Sequence, residues 1–166
     1  TLLRTYAVEH AGRPDLALAA ANRRILSDTS STMFVTVFFG VLDPETGLFI
    51  YANAGHNPPY LFNGGEPQPL PATGIPLGLF ERTWRCESLV LQPGDALLLY
   101  TDGVTDAEHT ERGFFEIERL LDAARSAPRG SAPAMKEAIE QAVHDWIGDS
   151  PPHDDITLLI LTRAAD

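Results

Sequence analysis

Cysteine is nearly absent: Cys86 is the only one among 166 residues. No intrachain disulfide can form, so a reducing compartment, the cytoplasm, is expected. Basic residues are also scarce. Lys and Arg total 12 against 23 Asp and Glu, a formal net charge of -11. Phosphate backbones are repelled by that balance, which argues against nonspecific nucleic-acid binding. Divalent cations or basic partners suit it, and so does plain solubility. No apolar run reaches the length of a membrane span, so no membrane insertion is expected. No charged-then-apolar leader opens the chain. An initiator Met is missing too. The opening "TLLRTYAVEHAG" reads as the middle of a helix, as if cut from something longer. What is present is 44% hydrophobic residues, enough for one sizeable core in a single domain over 1–166.

The patterning begins helical. Leu2, Leu3 and Tyr6 recur at helical spacing, and Gly12 and Pro14 stop that segment. "RPDLALAAANRRIL" predicts a second helix, with Pro14 and Asp15 suited to its first turn. The pattern then turns to strands: "MFVTVFFGVL" (33–42) and "LFIYANAG" (48–55), joined by the turn "DPETG", predict a hairpin. "HNPPYLF" gives a short third strand, and 63–80 is loop-rich. "TWRCESLVL" (83–91) alternates as a strand, "QPGD" is a turn, and "ALLLY" (96–100) reads as a strand buried on both faces. Residues 114–125 and 132–148 predict amphipathic helices, and "DITLLILT" (155–162) a last strand. Helices, a block of strands, two helices and a final strand suggest an α+β layered domain.

The stretch "LLLYTDGVTDAEH" drives an apolar run straight into Asp102 and Asp106. Asp154 and Asp155 immediately precede the apolar run "ITLLIL". If those two strands are antiparallel neighbours, the acids meet at one edge of the sheet. Hard cations such as Mg²⁺ and Mn²⁺ take carboxylate and water oxygens. Acids at strand ends also form ordinary turns, and spacing alone leaves both readings open. His56 in "NAGHNPP" fits a hydrogen-bonded corner better than a ligand. Cys86 lies in an alternating segment with no visible His–acid partnership, which favours a structural role. Trp84 and Trp146 fall on apolar faces and are expected in the core.

In order, the chain reads "MFVTVFFGVLD", "YANAGHNPP", "TGIPLGLF", "LQPGDALLLYTDGVTDA", "GFFEIERLL" and "HDDITLLIL". This resembles the bacterial SpoIIE/RsbU-type serine phosphatases, a branch of the metal-dependent PP2C-like (PPM) superfamily. The likeness runs from Met33 to Thr162, and the opening helices fit too. It implies an α+β sandwich of two antiparallel β-sheets flanked by helices, with two Mn²⁺ or Mg²⁺ ions at one end. Matched to "TDG", Asp102 is implied as a metal ligand and catalytic residue; matched to the "DD" segment, Asp154 is implied as another. Asp155 takes an outer-ligand role, because the wider superfamily often has Asn there. Gly103 lets the backbone pass close to the site, and Asp106 is implied as a loop-fixing or supporting residue. His153 could protonate the leaving serine oxygen, or be a simple loop histidine. The implied reaction is hydrolysis of a phosphoserine or phosphothreonine monoester. The implied partner is a phosphorylated anti-anti-sigma (STAS) regulatory protein.

The family's upstream "GD-aromatic-D" and "GDVSGKG"-like acidic motifs do not occur in this sequence. The resemblance therefore implies an N-terminally truncated domain with half a metal centre, inactive alone. Unpaired sheet edges would favour a dimer. Two other readings stay open: a non-catalytic phosphatase-like module that binds a partner protein, and an acidic domain whose carboxylates only cap strands.

Overall fold

The computed structural model describes residues 2–28, 33–148 and 154–164. In chain order the elements are helices α1 (Leu2–Glu9) and α2 (Pro14–Asp28), then strands β1 (Val37–Leu42), β2 (Leu48–Ala54), β3 (Tyr60–Phe62), β4 (Gln68–Pro69), β5 (Glu87–Val90) and β6 (Ala96–Tyr100). The single turn α3 (Asp102–Thr105) follows, then β7 (Glu108–His109), β8 (Gly113–Phe114), helices α4 (Glu116–Ser126) and α5 (Ala132–Ile147), and strand β9 (Leu158–Thr162). They gather into two compact units: Thr1–Pro58 with Pro71–Leu91, and Pro59–Leu70 with Gln92–Asp166.

The first unit holds α1, α2 and an antiparallel sheet in the order β1-β2-β5. Its core is Leu18, Ala21, Ala52, Ala54, Leu77 and Trp84. The 43–47 turn is built as its composition predicts: Asp43 Oδ1 accepts from the Glu45 N–H at 2.9 Å, and Gly47 takes φ 77. The first strand starts four residues later than the β-rich run suggests. Val37 already pairs with Ala54, the last residue of β2, so Met33–Thr36 find no further partner there. Val35 instead exchanges backbone hydrogen bonds with Leu77 at 3.0 and 2.9 Å. The 83–91 run is likewise trimmed, because β2 pairs only Leu48–Tyr51 with Val90–Glu87. Trp84 turns into the core, donating its indole N–H to the Ile75 carbonyl at 2.9 Å.

The second unit is built on a four-stranded antiparallel sheet, β4-β3-β6-β9. Strand β6 lies between β3 and β9, and its residues are buried on both faces, which is why its sequence is almost continuously apolar. Leu98 and Tyr100 on β6 share a core with Val104, Phe115, Leu120, Met135, Ile139 and Val143. Helix α5 starts where Ser131 Oγ accepts from the Ala134 N–H at 3.3 Å, and it ends at Gly148 with φ 58. The "QPGD" turn that launches β6 is fastened by a buried acid. Asp95 accepts from the Gln92 N–H at 2.8 Å through one oxygen and from Arg129 Nη2 at 3.1 Å through the other. Replacing Asp95 with Ala removes the acceptor shared by the turn amide and Arg129, so Asp95→Ala is expected to cost about 1–3 kcal/mol of stability. Urea unfolding reads it, and an unchanged midpoint would show that the turn does not depend on this carboxylate.

Candidate functional site

The ends of β6 and β9 bring the acidic segments together. The two strands are antiparallel, with Tyr100 opposite Leu158. The pairing continues one step beyond the strands, where the Thr101 N–H donates to the Thr157 carbonyl at 3.1 Å. There the Thr101 hydroxyl closes the ladder. It donates to the Asp155 carbonyl at 2.9 Å and accepts from the Thr157 N–H at 3.0 Å. One side chain thus ties the residue before Asp102 to the residues just after Asp154.

Gly103 makes the approach closer still. A Cβ at this position would lie 2.5 Å from the Asp155 carbonyl oxygen, 3.0 Å from its carbon and 3.4 Å from the Asp154 carbonyl carbon. Any side chain here would displace the Asp154–Asp155 backbone. Asp102 opens α3, the short turn that replaces the loop expected over these residues. The turn is closed by the Asp106 N–H, which donates to the Asp102 carbonyl at 2.8 Å, and by the Thr105 hydroxyl, which donates to the same carbonyl at 3.1 Å. Buried Val104 draws the turn into the core.

Asp102, Asp106, Asp154 and Asp155 are all exposed. Asp154 Oδ1 accepts from the Asp155 N–H at 2.7 Å, which fixes one of its oxygens. Asp106 Oδ1 lies 3.3 Å from the Thr105 hydroxyl and shares that group's one proton with the Asp102 carbonyl, a contact within its own turn. Asp155 joins the cluster through its backbone carbonyl. His153 lies outside the described residues. Among the described residues, no three acidic, histidine or cysteine side chains converge on one point. Next to the site, burial and then nearby Tyr60 push the Tyr100 phenol up to about 12, so it stays neutral.

The donor set fits a hard divalent cation in kind: exposed carboxylates on the segments that leave β6 and enter β9, open to water. Mg²⁺ commonly binds through only one or two carboxylates and keeps several waters. Thr101 was not singled out in the sequence. A threonine at a strand end is common, and only the β6–β9 register reveals what its hydroxyl holds.

The other candidates resolve differently. Asn53 is buried and both ends of its amide bind His56: Oδ1 accepts from the His56 N–H at 2.8 Å, and Nδ2 donates to the His56 carbonyl at 3.1 Å. With Gly55 at φ 70 this is the expected corner. The Cys86 thiol donates to Asp15 Oδ1 at 3.1 Å, and burial pushes its pKa up, away from nucleophilic use. Trp84 is core as expected; Trp146 is only half-buried, with Arg112 and Arg119 over its ring.

Comparison with known proteins agrees with this architecture. The chain is 37% identical over 133 residues to Protein IcfG of Synechocystis, covering 79% of this chain and 21% of that protein. It is 30% identical over 153 residues to Phosphoserine phosphatase RsbU of Bacillus subtilis, covering 90% of this chain and 45% of that protein. The chain therefore spans less than half the length of either curated relative. Among solved structures, the SiaA-PP2C domain of Pseudomonas aeruginosa superposes with a TM-score of 0.85 at 25% identity, over 97% of this chain and 65% of that one. The fold is thus α+β and PP2C-like. The family model for Stage II sporulation protein E (SpoIIE) matches residues 1–164, and the chain belongs to that family.

Proposed function

We propose that this chain is part of a metal-dependent protein serine/threonine phosphatase, with Asp102 and Asp154 as metal-holding residues. The observation that carries the reading is the backbone clamp at one sheet end: Thr101 and Gly103 hold the Asp154–Asp155 segment against the Asp102 turn. Family membership and the relationship to a phosphoserine phosphatase support it. When bound, Mn²⁺ or Mg²⁺ supplies an activated water and offsets charge on the phosphoryl oxygens.

The chain's own residues have narrower tasks. Asp102 and Asp154 provide hard oxygen donors, and the Asp155 amide fixes one Asp154 oxygen in place. Asp155 holds the strand entry through its carbonyl and adds charge near the site. Asp106 braces the α3 turn. His153, adjacent to Asp154 in sequence, is the candidate proton donor to the leaving serine oxygen. The substrate proposed is a phosphorylated anti-anti-sigma (STAS) protein in the cytoplasm. No described helix is long and apolar enough to cross a membrane.

Roles for the two adjacent acids separate by mutation. Asp154→Ala is expected to weaken Mn²⁺ binding by at least about tenfold, and Asp155→Ala by less, because ligand loss exceeds loss of a supporting charge. Calorimetric titration of Mn²⁺ into each variant, made in a chain that also carries the family's upstream acidic motifs, measures this. Equal losses, or a larger loss for Asp155→Ala, would reverse the roles.

The reading itself is tested by hydrolysis. Two-metal hydrolytic sites set their ions roughly 3.5–4 Å apart. Asp102, Asp154 and Asp155 would offer too few carboxylates to hold two such ions. The 166-residue chain alone is therefore expected to show little Mn²⁺-dependent hydrolysis of p-nitrophenyl phosphate or a phosphoserine peptide. The same domain carrying a segment with the family's upstream acidic motifs is expected to turn both over. Comparable rates from the two proteins would contradict the half-site account. Inactivity of both would favour the non-catalytic binding module.

A further inference from the structure

We propose that Asn63 and Gly64 form a self-modifying site, in which the Asn63 side-chain amide closes on the Gly64 nitrogen, loses ammonia and opens in water to an isoaspartyl residue. The pair sits in the exposed turn between β3 and β4, in the sequence "FNGGE" (62–66). The Gly65 N–H donates to Asn63 Oδ1 at 3.3 Å, which folds the side-chain amide back over the Gly64 peptide. Arg129 Nη2 donates to the Asn63 main-chain carbonyl at 3.2 Å. Among the described residues the Gly64 N–H donates to nothing, so no bond is lost when its proton leaves. Gly64, at φ 90, also has no side chain to block the approach.

The nucleophile is the Gly64 nitrogen once its proton has passed to hydroxide. The resulting charge is shared with the Asn63 carbonyl oxygen, the atom to which Arg129 already donates, and that bond strengthens as its acceptor gains charge. Attack forms the bond from the Gly64 nitrogen to Asn63 Cγ and moves an electron pair onto Oδ1, where the Gly65 N–H meets it as an oxyanion donor does. The Cγ–Nδ2 bond then breaks, and Nδ2 takes a proton from water and leaves as ammonia, closing a succinimide ring. Water adds to one ring carbonyl and breaks its bond to the Gly64 nitrogen. Arg129 polarises the former main-chain carbonyl, so water opens the ring there. The chain then runs through Cγ, and a new carboxylate faces the guanidinium. Amide and water have become acid and ammonia, with nothing oxidised or reduced. The same Arg129 nitrogen serves Asp95 at 3.1 Å, so the new carboxylate competes for the clasp on the β6 turn. The other three asparagines lack these features. Asn22 and Asn53 are buried with both ends of their amides engaged. Asn57 precedes Pro58, which has no N–H to give up.

This site stands apart from the phosphatase reading. The test incubates the intact protein at mildly alkaline pH, follows deamidation by peptide mapping with mass spectrometry, and detects isoaspartate by enzymatic methylation. Asn63 is expected to react before the other three asparagines. Its rate in the folded protein is expected to be at least threefold that in the same chain unfolded in urea, where both donors are lost. Arg129→Gln is expected to slow the folded rate at least threefold and to lower the isoaspartate share. The control is Arg125→Gln, a nearby guanidinium that binds Asp122 and Glu66 instead, and it is expected to change the rate less than twofold. Should Arg129→Gln melt early, the comparison of folded and unfolded native chain decides alone. A folded rate at or below the unfolded rate, equal effects of the two variants, or aspartate as the main product would overturn the proposal. The assay contains no phosphoester and no metal, so a failure of hydrolysis leaves it untouched.

Discussion

Asp102→Asn is expected to lower Mn²⁺-dependent phosphoserine hydrolysis by the complete protein more than a hundredfold, with its melting temperature almost unchanged. The two halves of that expectation have separate causes. Among the described residues, Asp102 holds the fold through its backbone, whose carbonyl accepts from the Asp106 N–H and the Thr105 hydroxyl. Its side chain is exposed, and Asn keeps its shape, so stability should move by no more than about 0.5 kcal/mol. The charge is another matter. Changing residues that merely support a metal ligand typically costs about 10–100-fold in affinity or activity, and loss of a charged ligand costs more. Turnover at saturating Mn²⁺, measured beside a thermal melt, separates the effects. Unchanged turnover would remove Asp102 from the site.

Gly103→Ala attacks the same site without touching a carboxylate. The added methyl would sit 2.5 Å from the Asp155 carbonyl oxygen, well inside contact distance, and its neighbours there are backbone atoms. Backbone cannot rotate away as a side chain can. Either α3 or the approach to β9 must shift, and the Thr101 hydroxyl then loses its bonds to Asp155 and Thr157. Overpacking of this kind costs about 1–3 kcal/mol. Moving the Asp154 segment away from Asp102 is expected to cost Mn²⁺ affinity about tenfold or more as well. Urea unfolding and Mn²⁺ titration read the two losses. An Ala variant as stable and as tight-binding as the native protein would show that the segments do not depend on this close approach.

Much of this architecture is legible without coordinates, and the reasons are local. "ALLLY" is buried on both faces, Leu97 and Leu98 alike, and an uninterrupted apolar run announces that. The α5 limits follow from Ser131 and Gly148, the Asn53–His56 corner from its own polar groups and glycine. What escapes is set by partners rather than by composition. Met33–Thr36 are as β-rich as Val37–Leu42, yet β2 ends opposite Val37. The two-residue strands β7 and β8 are too short to show any period. The acids stand out as strand-end carboxylates, but only the β6–β9 register places their backbones side by side. Thr101, which fastens them, carries no signal at all until that register is known.

The most direct measurement is anomalous diffraction from crystals of this protein soaked in Mn²⁺. The account predicts a manganese peak at roughly 2.0–2.2 Å, the distance expected of a hard cation on oxygen, from both the Asp102 and Asp154 carboxylates. A peak bound elsewhere, or none beside these two residues at saturating Mn²⁺, would contradict it.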